Sequence, residues 1–217
     1  MALALFDLDN TLLNGDSDYL WGCFLVEHGI VDGEHYESEN RRFYDQYLDG
    51  SLDIYEFLHF QLAPLRNHTS AKLEAWRDTY LQEKIDPILL PRAHQLLDKH
   101  RQAGDELLII TATNSFITAP IAKRYGINHL LATEPETIDG EYTGKVNGTP
   151  CFQSGKVERL HAWMKAHDQR LDGSWFYSDS HNDLPLLEAV DHPVAVDPDD
   201  KLKTHAQANG WPVISLR

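Results

Sequence analysis

Two aspartates near the start of the chain are the first residues that could do chemistry. Asp7 and Asp9 close the apolar run Leu3 to Leu8 and are followed by Asn10 and Thr11. Carboxylates two residues apart on a strand share one face, so they repel each other unless a cation lies between them or the strand has already ended. Mg²⁺ suits such a pair, because it prefers hard oxygen ligands and commonly takes only one or two carboxylates. The alternative is an acidic pair that only caps the loop after the strand.

Polar residues also follow a second apolar run. Thr111 ends the run Leu108-Ile109-Ile110-Thr111, and Asn114 and Ser115 come shortly after it. Asn114 and Ser115 can open a helix, and the amides at a helix N-terminus attract phosphate. A phosphate-binding role for this segment is therefore one interpretation.

A lysine occupies the first turn of a predicted helix. Lys156 follows Ser154 and Gly155. A cation there opposes the helix dipole and gains nothing locally, so a nearby anion explains the position better than the helix does. A solvated surface lysine is the alternative.

A second acidic pair follows the apolar run Trp175-Phe176-Tyr177. Asp179 and Asp183 lie four residues apart, in a loop before a predicted helix. Asp183 also suits a helix start, where a carboxylate favours the dipole, but this alternative explains Asp179 less well.

The apolar runs predict the strands that would position these side chains. Helical segments alternate with the runs, and this alternation predicts an α/β fold, a doubly wound Rossmann-like parallel sheet. Because such sheets bind ligands beyond the carboxyl ends of their strands, the polar clusters are expected to meet there. The predicted strands are Leu3–Leu8, Glu106–Thr111, Trp175–Tyr177, Pro193–Val196 and Pro212–Ile214, and the predicted helices are Pro87–Ala103, Ser115–Tyr125, Ser154–His167 and Asn182–Val190.

Residues 14–86 break this alternation. They contain helical apolar spacing, for example at Leu52, Tyr55, Leu58 and Leu62, and no convincing strand. We therefore predict an all-helical cap over residues 14–86, inserted after the first strand of a core formed by residues 1–13 and 87–217. Turn dipeptides within residues 137–148 predict a small hairpin.

Composition limits the partners and the cellular setting. The chain has 217 residues and a formal net charge of −15, which disfavours nucleic acid and anionic membranes. It has 2 cysteines, without metal-ligand spacing, and its first residues do not form the apolar core of a signal peptide. A cytoplasmic protein is the expectation, and the sequence leaves its oligomeric state open.

The four polar clusters, in this order, resemble the four motifs of the haloacid dehalogenase superfamily of phosphatases. The helical insertion and the segment Asn182 to Leu187 are most similar to the phosphoserine phosphatase branch, which includes histidinol-phosphatases. The sequence departs from the family pattern at Ser178, where Gly is frequent, and at Ser180. Both residues are small, and we expect little loss from them.

The resemblance implies a Mg²⁺-dependent phosphomonoesterase. Asp7 would attack phosphorus and form an aspartyl phosphate, while Asp9 would act as general acid and then as general base. The side chains of Asp7 and Asp179, with the backbone carbonyl of Asp9, would hold the metal ion. Asp183 would complete the metal site, where it would orient Lys156 or a metal-bound water.

The resemblance also implies how the phosphoryl group is held. Thr111 and Lys156 would bind its oxygens, with help from the amides around Asn114 and Ser115.

The resemblance further implies that the substrate is a small phosphorylated metabolite. Asp16 lies nine positions after Asp7, where phosphoserine phosphatases have an acid that binds the substrate amine, and an ungapped alignment puts His59 at the position of their carboxylate-binding Arg. Without that Arg, histidinol phosphate is favoured. A packed histidine at position 59, or replacement of the Arg by Arg41, Arg42 or Arg66, stays open.

Other functions also stay open. The alternatives are phosphoserine phosphatase and a broader phosphatase or phosphotransferase of the same superfamily. Asp9 and Asp179 argue against a dehalogenase, which needs neither. A contact of His181 with the site is a further open point.

Overall fold

The apolar runs form a seven-stranded sheet in the order β4-β3-β2-β1-β5-β6-β7. The computed structural model describes residues 2–217. Neighbouring strands are parallel except for β3 and β4, which are antiparallel. The strands are β1 Leu3–Phe6, β2 Glu106–Asn114, β3 His129–Ile138, β4 Glu141–Asn147, β5 Trp175–Ser178, β6 His192–Val196 and β7 Val213–Ile214.

Helices complete the two layers around the sheet. They are α1 Ser17–Glu27, α2 Gly33–Asp49, α3 Ile54–Leu62, α4 Ser70–Tyr80, α5 Pro91–Ala103, α6 Ser115–Arg124, α7 Ser154–His167, α8 Leu184–Leu187 and α9 Asp200–Asn209. Side chains alternate across β1, so that Leu3 and Leu5 join one apolar cluster while Ala4 and Phe6 join the other. The predicted α/β fold class is confirmed.

Several predicted elements have the wrong limits. The helix expected from Pro87 begins at Pro91, because Pro87 lies in a separate 3₁₀ turn, Asp86–Ile88. The helix expected over Asn182–Val190 is reduced to α8 and the 3₁₀ turn His181–Asp183, because the chain tightens through a hydrogen bond from Ala189 N to Leu186 O.

The sequence interpretation missed the core half of β3. The predicted hairpin forms between β3 and β4, but β3 starts at His129 and pairs in parallel with β2 before it reaches the hairpin. The part of β3 that pairs with β2 contains only the short apolar run Leu130-Leu131-Ala132. This run predicts a strand less clearly than the turn dipeptides predict the hairpin.

Helices α1–α4 and short helical turns occupy the segment between β1 and α5. The two chain connections to this segment pair with each other, through an isolated bridge between Leu13 and Leu89 and a hydrogen bond from Asn14 N to Ile88 O at 2.9 Å. On this pairing we base a proposed division into a cap, residues 14–86, and a core, residues 1–13 and 87–217.

None of the helices within residues 2–217 combines the length and apolar character that a membrane span requires.

Candidate active site

The site lies beyond the carboxyl ends of β1, β2 and β5. Because β1 is central, with β2 and β5 on either side, Asp7, Thr111 and Asp179 arrive at the same edge of the sheet. Asp7 continues the register of β1 by donating its amide to Tyr177 O at 2.9 Å. The sheet therefore brings the separate sequence motifs together.

Lys156 lies between two carboxylates. Its Nζ donates to Oδ1 of Asp7 at 2.7 Å and to Asp183 at 2.8 Å, and all three side chains are buried. Asp183 also accepts a hydrogen bond from Ser178 Oγ at 2.7 Å. Asp183 therefore holds Lys156 in place from the side opposite Asp7.

Close backbone packing at Gly155 places Lys156. A Cβ atom at Gly155 would lie 2.1 Å from the oxygen of Pro150. Because this oxygen belongs to the backbone, it cannot move away by a side-chain rotation. The absence of a side chain at Gly155 therefore lets the start of α7 approach residue 150.

Asp179 is joined to the loop after β1. Thr11 Oγ1 donates to Oδ1 of Asp179 at 3.0 Å and accepts the amide of Asp179 at 3.0 Å. Thr11 itself is placed by a tight turn, in which Leu8 O accepts hydrogen bonds from the amides of Thr11, Leu12 and Leu13. The first and fourth motifs are thus linked directly.

The acids of this site have too little positive charge around them. Burial, partly offset by Lys156, raises the pKa of Asp7 to about 7, and the charges of Asp183 and Asp9 add to the rise. Burial, followed by the charges of Asp7 and Asp183, also raises the pKa of Asp179 well above its usual range. An additional cation beside them would reverse both shifts.

The donor set fits Mg²⁺. No cluster of three or more His, Cys, Asp or Glu side chains suited to a metal ion occurs within residues 2–217. The available ligand set is smaller and consists of the carboxylates of Asp7 and Asp179 with one backbone oxygen. Proteins commonly hold Mg²⁺ with such a set, because the ion keeps several water ligands.

Two donors hold Asp9 in one orientation. Its Oδ1 accepts from Ser17 N at 2.6 Å, and its Oδ2 accepts from Thr113 Oγ1 at 2.8 Å. Burial raises the pKa of Asp9 to about 6, the charge of Asp16 adds to the rise, and the bonds from Ser17 and Thr113 oppose it. A carboxyl group with such a pKa can exchange protons near neutral pH.

A cavity adjoins these residues. It extends from the sheet edge to α1, α2 and α3. Its lining consists of Asp7, Asp9, Asp16, Asp18, Tyr19, Asn40, Phe43, Tyr44, Tyr47, Leu52, Ile54, Phe57, Thr111, Ala112, Thr113 and Phe152. Six of these residues are aromatic, the charged groups are all acidic, and Lys, Arg and His are absent from this lining.

The phosphate-binding segment differs from the expectation. Strand β2 continues to Asn114, so Thr111, Ala112 and Thr113 line the cavity, whereas Asn114 and Ser115 do not. The Asn114 side chain caps α6 by accepting from Ile117 N, and Ser115 Oγ donates to Glu134 at 2.5 Å. Asn114 and Ser115 therefore lie outside this lining, because the strand is longer than its apolar run.

The structure places Asp16 in the cavity lining, where it caps α1 by accepting from Tyr19 N at 2.8 Å. It does not bring His59 there. Helix α3 turns Ile54 and Phe57 toward the cavity, and His59, two residues beyond Phe57, is exposed to solvent. His59 therefore lies apart from the cavity, because an ungapped alignment does not fix the rotation of this helix.

The three arginines that might have replaced the missing carboxylate-binding Arg also lie elsewhere. Arg42 pairs with Glu39 and Glu56, Arg41 is exposed near Asp45, and Arg66 packs on Gly144 of the hairpin. None of them lines the cavity.

His181 lies outside the cavity lining. Its Nδ1 bonds with Asp199 Oδ2 at 2.8 Å, and its Nε2 lies 3.3 Å from Lys201 Nζ. Lys201 in turn donates to Asp49 O at the end of α2. His181 therefore belongs to a contact between the core and α2.

The chain is similar to known proteins over nearly its whole length. The family model for haloacid dehalogenase-like hydrolases matches residues 4–188. The chain belongs to this hydrolase family. The match includes the four motifs, and together with the phosphatases among the relatives it confirms the prediction of a phosphatase.

Relatives of this hydrolase match over its full length. The chain is 43% identical over 219 residues to a histidinol-phosphatase from Neisseria meningitidis serogroup C (strain 8013), covering 99% of both chains. It is 44% identical to a protein of unknown function from Bordetella pertussis Tohama I, whose crystal structure matches with a TM-score of 0.94 over 100% of this chain and 99% of that chain. A substrate-bound phosphoserine phosphatase has the same fold, with a TM-score of 0.72 at 18% identity over 100% and 93% of the two chains.

Sequence reasoning missed several residues of the hydrolase site. Thr113, which holds Asp9, lies two residues after Thr111 on the same strand, and this spacing was an available signal. Asp18, Asn40 and Gln61 come from three helices of the proposed cap, and no local motif marks them.

Proposed function

We propose that this hydrolase is a Mg²⁺-dependent phosphomonoesterase that acts on histidinol phosphate through a phosphorylated Asp7. The observation that carries the choice of substrate is the cavity lining, which contains acids and aromatic rings but no Lys, Arg or His. The histidinol-phosphatase name of the Neisseria relative supports the same substrate. The phosphatases among the relatives support a small phosphorylated metabolite as the substrate, and the free Cys23 and Cys151 are consistent with a cytoplasmic setting.

Asp7 is the proposed nucleophile. Its carboxylate forms a bond to phosphorus as the bond from phosphorus to the substrate oxygen breaks, which leaves an aspartyl phosphate and an alcohol. Lys156 donates to Oδ1 of Asp7 at 2.7 Å and so favours the ionised carboxylate. Asp183, on the other side of Lys156, keeps the lysine in place.

Asp9 is the proposed general acid and base. Protonated, it donates a proton to the departing substrate oxygen, and ionised, it then takes a proton from the water that hydrolyses the aspartyl phosphate. Ser17 and Thr113 hold both carboxyl oxygens of Asp9, so the group is oriented before the substrate binds. Such an orientation lowers the entropic cost of proton transfer.

The oxygens of the phosphoryl group need donors that are already in position. Thr111 lies at the cavity wall, and Lys156 lies beside Asp7. Buried donors of this kind stabilise charge that develops during the transfer, because they need no reorganisation at that moment.

Asp7 and Asp179, with the backbone carbonyl of Asp9, would hold the metal ion. When bound, Mg²⁺ supplies positive charge that lets an anionic phosphate approach a carboxylate. Thr11 and Lys156 fix the orientation of Asp179 and Asp7 from the protein side.

Asp16 binds the amine of the substrate in this proposal. Phosphoserine would bring a carboxylate into a cavity that offers no cation to pair with it and contains Asp9, Asp16 and Asp18. Histidinol phosphate has an amine and an imidazole but no carboxylate, so it avoids this repulsion.

Phosphate release from histidinol phosphate tests the proposal. The wild-type protein with Mg²⁺ should release inorganic phosphate, and addition of a chelator or the substitution Asp7→Asn should reduce the rate by about 10³ or more. Release that persists in Asp7→Asn would reject the nucleophile, and cleavage of an aryl phosphate without cleavage of histidinol phosphate would reject the substrate.

A further inference from the structure

Asp18 is a buried acid that the proposed mechanism does not use. It lies in the first turn of α1, is 7% exposed and lines the cavity with Asp16. An exposed carboxylate in the first turn of a helix interacts with the helix dipole as favourably as a buried one does. Burial of a carboxylate, however, costs free energy unless a partner compensates it. The helix alone therefore does not explain why Asp18 faces the cavity.

One side-chain contact holds Asp18. Gln61 Nε2 donates to Asp18 Oδ1 at 2.5 Å and to Asp18 O at 3.0 Å. Tyr36 donates its hydroxyl to Gln61 Oε1 at 3.4 Å, which fixes the amide orientation. Within the described residues 2–217, Oδ2 of Asp18 has no hydrogen bond or ion pair. Gln61 thus fixes the carboxyl group through one oxygen and leaves the other for a ligand.

The cavity around Asp18 has no basic side chain. Its charged groups near α1 are Asp9, Asp16 and Asp18, and its walls include Phe43 and Phe57. A ligand that fills this space must bring its own donors, and it must also have a surface that packs against aromatic rings.

We propose that Asp18, held by Gln61, is a specificity-determining residue that binds a second nitrogen group of the substrate, the N–H of an aromatic heterocycle, while Asp16 binds the amine. The inference rests on the proposed function and narrows its substrates to phosphate esters of amino alcohols that carry such a ring. Gln61 is a positioning residue, because it acts through Asp18.

An imidazole ring meets both requirements of this part of the cavity. It has an N–H donor in its neutral form and two in its protonated form, so it can donate to a carboxylate in either state. Its flat face can pack against the aromatic wall that Phe43 and Phe57 form, with their ring centroids 5.4 Å apart.

The electrostatics of the acids agree with this role. Burial, followed by the charge of Asp16, raises the pKa of Asp18 well above its usual range, and the bond from Gln61 only partly opposes the rise. Burial also raises the pKa of Asp16. Positively charged nitrogen groups would reverse both shifts on binding, and the chain itself supplies none in the cavity.

The test compares two substrates that differ in the ring. Histidinol phosphate carries amine, phosphate and imidazole, whereas phosphoethanolamine carries only amine and phosphate. In Asp18→Asn, kcat/KM for histidinol phosphate should fall about tenfold or more, chiefly through KM, and kcat/KM for phosphoethanolamine should change less than about threefold. Glu37→Gln, an exposed acid on α2, is the matched control and should change neither.

Loss of structure is separated from loss of recognition by two further measurements. Asp18→Asn removes a buried charge at constant size, so we expect it to melt at or above the wild-type temperature. Gln61→Met keeps Asp18 but removes its donor, and should lower kcat/KM in the same substrate-selective way.

Two results would overturn the role of Asp18: an equal loss on both substrates, or no loss on histidinol phosphate. A wild-type protein that cleaves an aryl phosphate but neither amine phosphate would instead reject the proposed function, and the role of Asp18 with it.

Discussion

Lys156 Nζ lies 2.7 Å from Oδ1 of Asp7, although the two residues are 149 positions apart in the chain. The contact joins the proposed nucleophile to a cation that is itself held by Asp183 at 2.8 Å. Because all three groups are buried, removal of one leaves an uncompensated charge in the interior.

We predict that Lys156→Met lowers both stability and activity. The free energy of unfolding should fall by about 3–5 kcal/mol, because Asp7 and Asp183 lose their shared partner. The value of kcat should fall by about 10² or more, because a donor to the phosphoryl group is lost. Urea denaturation and phosphate release measure the two effects.

Two variants control the Lys156 prediction. Lys165→Met removes an exposed lysine from the same helix and should leave both properties unchanged. Asp183→Asn, added to Lys156→Met, should restore part of the stability but none of the activity. A Lys156→Met protein with wild-type stability would show that the buried ion pair is not formed.

Thr113 is predicted to set the protonation of Asp9. Thr113→Val removes the hydrogen bond to Asp9 Oδ2 at 2.8 Å, and this bond lowers the pKa of Asp9. The pKa of Asp9 should therefore rise, and the limb of the kcat/KM profile that requires protonated Asp9 should move to higher pH. We expect kcat to fall by about tenfold as well, because Asp9 loses one of its two orienting donors.

Thr113→Ser serves as the conservative control, because it retains the hydroxyl. It should keep the wild-type pH profile. Identical profiles in Thr113→Val and the wild type would show that Thr113 does not act through Asp9.

Strand ends and local motifs were accessible from the sequence because they depend on neighbouring residues. The apolar runs before Asp7, Thr111 and Asp179 predict strands, and the parallel sheet then requires their ends to meet. Strand β2 extends three residues beyond its apolar run, to Asn114. Because of this extension, Ala112 and Thr113 line the cavity. Its cause is pairing with β3, which local apolar patterning does not reveal.

The helical part of the site was less accessible. Two residues along a helix are separated by a rotation of about 200°, so they lie on nearly opposite faces. Phe57 therefore lines the cavity, whereas His59 is exposed to solvent. Asp18 and Gln61 lie 43 positions apart, on different helices, and only the packing of α1 against α3 shows that they meet.

Gly155→Ala is predicted to displace Lys156. Alanine normally favours a helix over glycine by about 1 kcal/mol, but a Cβ here would lie 2.1 Å from Pro150 O, so the start of α7 must move. We expect lower stability and a loss of kcat, measured by thermal melting and phosphate release. Gly33→Ala, where the nearest atom is a Val26 methyl at 3.5 Å, is the matched control and should be neutral or stabilising. Full activity in Gly155→Ala would contradict this packing.

Asp105 is predicted to stabilise the folded chain near neutral pH and to lose this contribution at low pH. It accepts from Ala2 N at 3.0 Å and bonds with His100 Nδ1 at 2.9 Å. Burial raises the pKa of Asp105, but the bonds from His100 and Ala2 outweigh it and hold the pKa below the usual 3.8. Because the pKa is lower in the folded than in the unfolded chain, this contribution is present above pH 3.8 and is lost as the pH falls through the folded-state value.

The substitution Asp105→Asn isolates that contribution. The difference in unfolding free energy between wild type and Asp105→Asn should be largest near neutral pH and should shrink as the pH falls below about 4. Urea denaturation over this range measures it. A difference that stays constant with pH would contradict the assignment to the Asp105 carboxylate.

The ratio of kcat/KM for histidinol phosphate to that for phosphoserine tests the central claim most directly. Both substrates carry a phosphate and an amine, and only phosphoserine carries a carboxylate, which would face a cavity lined by acids without a basic side chain. The account predicts a ratio of about 10² or more in favour of histidinol phosphate. A ratio near unity, or one that favours phosphoserine, would contradict it.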